Sequence, residues 1–163
     1  MAKVIYKLGD DISTDIIYPG RYMATVLPTE TPRYAFDDIQ DLNTMLNDGV
    51  EDGSIILGGD NFGCGSSREQ AASTMKGHGV IVVARDFARI FIQNSINLGL
   101  QTVICPEIEA EVGDDLEING DKLINKTSGK EYDVIPHSAA RQAIIDAGGL
   151  IPYTRKKLIE KMS

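Results

Sequence analysis

Cysteine is scarce in this chain of 163 residues: it has two, Cys64 and Cys105, far apart in sequence. Two thiols cannot by themselves complete a four-ligand metal site, and no C-x-x-C is present. A disulfide between them stays open, but a chain of this length builds a core without one. Two reduced thiols in a cytoplasmic setting are therefore the expectation. Long apolar runs are missing too; none approaches the 18 residues of a membrane span. The first residues, Met1 to Lys7, lack the apolar stretch and small-residue cleavage pattern of a secretion signal. Positive charge is in deficit, with 16 Lys plus Arg against 24 Asp plus Glu and a formal net charge of −8. The densest basic cluster is Arg155-Lys156-Lys157. Nucleic acid and anionic membrane surfaces are excluded as general partners, because their phosphates would be repelled. Repeats, low-complexity tracts and linkers are absent, so one domain over residues 1–163 is expected.

Glycine is abundant, with 16 residues against an average near 7%, and it punctuates a regular order of elements. Val4–Leu8 reads as a strand, and Ile12–Gly20 as an apolar stretch closed by Pro19 and Gly20. Tyr34–Leu46 has helical spacing. Ser54–Leu57 is a buried strand followed by a glycine-rich loop, Gly58 to Gly65. A helix is predicted from Ser66 to Gly77, a buried strand over Val80–Ala84, a helix over Asp86–Leu98 and a strand over Gln101–Cys105. This order predicts an α/β fold with βαβ connections and a mainly parallel sheet. Asp115–Ile118, Lys122–Asn125 and Glu131–Ile135, separated by Asn119-Gly120 and Ser128-Gly129, predict two appended β-hairpins. Helices are predicted over Ser138–Ala147 and Thr154–Met162.

The chemistry concentrates in Gly63-Cys64-Gly65-Ser66-Ser67-Arg68-Glu69. A helix start offers unpaired N–H groups and the positive end of its dipole. The glycines admit close approach of a ligand, and Arg68 can grip a carboxylate or phosphate with two bonds. This is a pocket for a small oxyanion. The same residues also fit a capping box, with Ser66 capping the helix and Glu69 reaching back, and that reading needs no ligand. A phosphate-binding P-loop fails because Cys64-Gly65 stand where Lys and Ser/Thr are required, and a dinucleotide fingerprint fails at Arg68. Cys64 could be a nucleophile if His78 or His137 served as its base. Both histidines read more simply, His78 as a loop residue and His137 as an exposed residue near a helix cap.

Gly63 to Ala72 resembles the G-x-G-S-S-R-E-x-A-A signature of the swivelling domain of the aconitase superfamily. Asp11 to Tyr22 resembles the D-x-x-T-D-x-I-x-P-x-R-Y segment of its free-standing small subunits. Phe87 to Phe91, with Asn94, Asn97, Gly99 and Leu100, resembles a third shared segment. The most similar group is the small subunit of 3-isopropylmalate dehydratase and its relatives. The resemblance implies a swivelling β/β/α domain, with a mixed, mainly parallel sheet or partly open barrel flanked by helices. It implies a hydro-lyase of leucine biosynthesis that isomerises 2- and 3-isopropylmalate by dehydration and rehydration, active only with a large subunit as heterodimer or heterotetramer. That partner carries a [4Fe-4S] cluster on three cysteines, and this chain binds no metal. By resemblance Ser66 is the catalytic base, Ser67 and Arg68 contact the substrate carboxylate, and Arg21 is a second carboxylate-binding arginine. Without the resemblance Arg21 reads as a surface residue. Tyr22, Met23, Ala24 and Thr25 are the implied specificity loop. Ala24 stands where homoaconitase-type relatives carry Arg, which favours an apolar substituent. Met23 departs from an expected Leu and leaves dimethylmalate or methylmalate as alternative substrates. A dicarboxylate-binding module without catalysis is the alternative of a different class.

Overall fold

A computed structural model describes residues 2–162. Short strands rich in Val and Ile assemble into a seven-stranded sheet of order β4-β3-β2-β1-β5-β6-β7. The parallel half is β1 (Ala2–Lys7), β2 (Ile55–Leu57), β3 (Ile81–Ala84) and β4 (Thr102–Ile104). Val4 pairs with Ile55, Ile55 with Ile81, and Val82 with Thr102. The antiparallel half is β5 (Asp115–Asn119), β6 (Lys122–Asn125) and β7 (Glu131–Asp133). It joins through Lys3 opposite Asp115. The first hairpin turns on Gly120-Asp121, between the paired Asn119 and Lys122. In the second, the buried Asn125 side chain accepts from the Thr127 and Ser128 N–H groups and shapes the loop.

The sheet curls until its edges meet. Ile135, just past β7, donates its N–H to the Ile104 carbonyl at 2.9 Å, and the Cys105 thiol donates to the Asp133 carbonyl. The expected mixed, partly open barrel is therefore what forms. Alternation along the strands splits the core in two. Ile56, Val82 and Ala84 face the helices with Tyr18, Leu42, Phe62, Met75 and Phe91. Ile55, Leu57, Val83, Leu116 and Leu123 pack together on the other face.

The helices are α1 (Thr14–Ile17), α2 (Gln40–Asp48), α3 (Glu69–Lys76), α4 (Arg89–Leu98), α5 (Ala139–Asp146) and α6 (Leu150–Met162). Two, α3 and α4, begin three residues later than predicted, and α2 begins six residues after the start of the helical spacing over 34–46, behind a 3-10 turn at Thr31–Tyr34. For α4 the cause is Phe87, which makes a β-bridge with Phe62 and keeps Asp86 to Ala88 extended. Conversely, α6 begins four residues earlier than predicted. Pro152 lies in its first turn, where a missing N–H costs no helical bond. Among the described residues no helix is long and apolar enough to cross a membrane.

Candidate active site

Loops leaving the carboxyl ends of β1, β2 and β3 lie side by side and are laced through their backbones. The first two are joined by Gly59 N–H to the Gly9 carbonyl, Asp11 N–H to Asp60, Gly63 N–H to Ile12 and Thr14 N–H to Cys64, at 2.7–3.1 Å. The loop after β3 joins on the other side, with Phe62 N–H on the Asp86 carbonyl and Ala88 N–H on that of Phe62. The crevice outside the carboxyl ends of parallel strands is where open α/β sheets place their ligands. Gly63 is forced by this lacing. Its φ is +84°, and a Cβ there would lie 2.2 Å from the Phe91 ring.

Ser66, Ser67 and Arg68 sit at the end of the middle loop. The predicted capping box does not form: α3 starts at Glu69, its N-cap is Arg68, and no side chain bonds at the cap. Gly65 turns the chain with φ +95°, and the Ser66 carbonyl accepts from the Thr14 hydroxyl at 2.8 Å. The backbone at 66–68 is bound to the neighbouring loop instead of wound into a first turn. Capping goes to Ser13, whose hydroxyl accepts from Ile16 N–H at the start of α1. Both Ser66 and Ser67 are exposed. Neither hydroxyl makes a hydrogen bond among the described residues.

Arg68 is the anchored charge, its side chain only 16% exposed. Its Nη1 donates to the Asp15 carboxylate and, at 3.0 Å, to the Tyr18 carbonyl. Its Nη2 has no acceptor among the described residues. Asp15 is held below the usual carboxylate range, first by that bond and then by the Arg68 charge, with a smaller contribution from Arg21. The structure thus brings Ser66, Ser67 and Arg68 together and adds Asp15.

Arg21 is directed elsewhere. Its Nη2 bonds Asp37 at 2.5 Å and Asp38 at 2.7 Å, and its guanidinium lies over the Tyr22 ring. Tyr22 is half-buried, stacks on Tyr34 and donates its hydroxyl to Asp37. Met23 and Ala24 are exposed and Thr25 is half-buried. A groove of about 470 Å³ runs from Ser67, Gln70 and Ser73 to the apolar Val26, Pro28 and Leu98. A larger one, about 610 Å³, lies at the amino end of β4 around Thr102, Gly120 and His137, away from these serines.

The nucleophilic-thiol reading finds no base. His78 Nε2 pairs with the Pro32 carbonyl at 2.7 Å, and His137 Nε2 with the Thr102 hydroxyl and carbonyl. His78 does lie in a turn; His137 is half-buried by its Thr102 contacts where exposure was expected. Cys64 and Cys105 are free thiols.

The Aconitase C-terminal domain family model matches residues 18–107. The 3-isopropylmalate dehydratase small subunit of Thermodesulfovibrio yellowstonii is 41% identical, with 94% of this chain and 93% of that one covered. The small subunit of the same name from Methanosarcina mazei is 39% identical over 96% and 97%. A crystal structure of 3-isopropylmalate dehydratase from Methanocaldococcus jannaschii superposes with a TM-score of 0.86. It is 36% identical and covers 98% of this chain and 96% of that one. The chain belongs to the 3-isopropylmalate dehydratase small-subunit family. The alternatives of a methyl-substituted substrate, a homoaconitase subunit or a non-catalytic module are not favoured by these names.

The residues of this family member do not fit an iron–sulfur cluster. A cluster needs several convergent thiolates. Cys64 stands without a second thiol, and Cys105 is buried in the core with its pKa pushed up to about 11, chiefly by burial. No group of three His, Cys, Asp or Glu able to hold a metal occurs among the described residues. Sequence reasoning missed Asp15, Thr14 and Tyr18 as parts of the site. The signal was present, since all three fall in the Asp11–Tyr22 segment and a half-buried arginine requires an acceptor.

Proposed function

We propose that this chain is the small subunit of a 3-isopropylmalate dehydratase and contributes the proton-transfer half of its active site. The observation that carries this is the proximity in the chain of an exposed Ser66, whose hydroxyl makes no hydrogen bond among the described residues, to the anchored Arg68, at the carboxyl ends of parallel strands. In this reading one substrate carboxylate binds the free Nη2 of Arg68 and the Ser67 hydroxyl. The Ser66 alkoxide takes the proton from the carbon beside a carboxylate and becomes the hydroxyl. The C–H electron pair forms the new double bond, and the neighbouring carbon loses its hydroxyl as hydroxide, which a Lewis acid on the large subunit would take up. For rehydration the same hydroxyl returns a proton. A neutral serine is a weak base, so the Arg68 charge and the amino end of α3 stabilise its alkoxide. Val26, Pro28 and Leu98, beside the Tyr22–Thr25 turn, offer apolar surface for an isopropyl group.

The large subunit is assigned the [4Fe-4S] cluster, whose open iron supplies Lewis-acid chemistry. Arg21 is assigned to a second carboxylate once the partner or substrate draws it from Asp37 and Asp38. The test is reconstitution with a cluster-bearing large subunit. The heteromer is expected to dehydrate 2-isopropylmalate, read by absorbance of the new double bond, while this chain alone is silent. Turnover by this chain alone, or none by the cluster-loaded pair, overturns the reading.

A further inference from the structure

Tyr18 has two attachments that no other residue of the site combines. Its carbonyl holds Arg68 Nη1 at 3.0 Å. Its side chain is fully buried, and the hydroxyl reaches the carbonyls of Tyr22 at 3.0 Å and Thr25 at 3.1 Å. Those carbonyls bracket the four-residue turn that follows Arg21, itself closed by Thr25 N–H on the Tyr22 carbonyl at 2.9 Å. One phenol proton faces two acceptors, so moving the turn forfeits its bond inside the core, where an unmade bond is most costly. The ring is fixed edge-on against Tyr22 and Tyr34, each 6.3 Å between centroids. Among the described residues one other side chain donates to this turn: Gln70 of α3, to the Met23 carbonyl at 3.3 Å. Burial raises the phenol's pKa and keeps it a donor.

We propose that Tyr18 is a positioning residue that fixes the Tyr22–Thr25 turn relative to Arg68, and thereby sets which alkyl substituent the site accepts. This rests on the proposed dehydratase function. The common carboxylate is held by Arg68 and the variable group is met by the turn. A single buried residue that grips both sets the distance between them. Removing the hydroxyl leaves the Tyr18 carbonyl, and so Arg68, in place while the turn is released. The loss then falls on discrimination between substituents and spares proton transfer.

The experiment compares Tyr18→Phe with the wild type in the reconstituted heteromer, using 2-isopropylmalate and 2-methylmalate. The ratio of kcat/KM for the two is expected to fall by about fivefold, the equivalent of one net hydrogen bond. The change enters through KM for 2-isopropylmalate, with kcat nearly constant. Tyr34→Phe, whose hydroxyl makes no bond to the turn, is expected to leave the ratio unchanged. A Tyr18→Phe heteromer that assembles and keeps the wild-type ratio overturns the inference. If that variant fails to assemble, the chain alone carries the test: faster amide hydrogen exchange at Thr25 in Tyr18→Phe than in the wild type supports the inference, and unchanged exchange overturns it. A wild-type heteromer that turns over neither substrate overturns the dehydratase reading and this inference with it.

Discussion

At the scale of single residues, the site separates a group that is free to react from groups that are held. Ser66 is exposed and, among the described residues, tied only through its carbonyl to Thr14, a bond alanine preserves. Ser66→Ala is therefore expected to lower turnover by about 10²–10⁴-fold, the usual worth of a positioned general base. Assembly and melting temperature should not change; turnover within tenfold of wild type removes Ser66 from the base role. Arg68 differs, because its fork holds protein acceptors on one nitrogen and leaves the other open. Arg68→Lys keeps the charge and loses the fork, with kcat/KM expected to drop by about 2–3 kcal/mol, or ~30–150-fold. The two thiols divide the same way. Cys105 is buried and its pKa is raised to about 11; Cys64 is half-buried beside the serines. Alkylation of the native protein is expected to label Cys64 and spare Cys105, as peptide mass mapping reads. Equal labelling of both contradicts the packing of Cys105, just past β4, against Asp133 at the end of β7.

At the scale of elements, the loops are laced to one another more tightly than their sequences suggest, and this governs what could be read in advance. Gly63→Ala forces a left-handed φ on alanine and drives its Cβ into Phe91. The strain costs about 1–2 kcal/mol and the overpacking about 1–3 more. The expected loss of about 2–5 kcal/mol is measured by urea unfolding, and a loss below about 1 kcal/mol would show that the loop does not pack on α4. The strands were legible because Ile55–Leu57 and Val82–Ala84 are apolar on both faces, as a covered parallel sheet demands. Asn119-Gly120 marked the first hairpin within one residue. Helix starts were not legible at Ser66 or Asp86. There the backbone bonds sideways, to Thr14 and to Phe62, and no local propensity records a partner 25 or 52 residues away. The cap at Ser13 was hidden for the complementary reason: α1 is four residues long and leaves almost no periodicity. The candidate residues Ser66, Ser67 and Arg68 were named from their motif; Asp15, which pairs with Arg68, lay unnamed within the matching segment.

For the whole molecule, a net charge of −8 is set against a site proposed for a dianion, and the carboxylates nearest the arginines are ion-paired rather than merely solvated. Asp15 lies below its ordinary pKa through Arg68, and Asp37 through the Tyr22 hydroxyl first and Arg21 second. Far from the site, Asp114 is lowered by the Glu111 N–H and the Asn125 amide, where the hairpins join the parallel half. Each folded pKa is depressed, so the unfolded chain binds more protons in acid. The stability from these contacts is complete above the unfolded carboxylate value near 3.9 and is lost as pH falls through the folded values. Asp15 is exposed and Asp37 and Asp114 are half-buried at the surface, and solvent screening keeps each contribution small. Together they place the acid limb of the stability curve below about pH 4, with a level region from about pH 5 to 7 as far as these groups determine it. Urea unfolding across that range is expected to show this. Asp114→Asn is expected to flatten the acid limb without moving Ser66 or Arg68, because its bonds join Asn125 and the Glu111 turn. Asp15→Asn is expected to flatten it too, and also to loosen Arg68, so only that variant should raise KM in the reconstituted heteromer. A variant pair that lowers stability equally at pH 3 and pH 7 would show that neither contact is made by the ionised carboxylate.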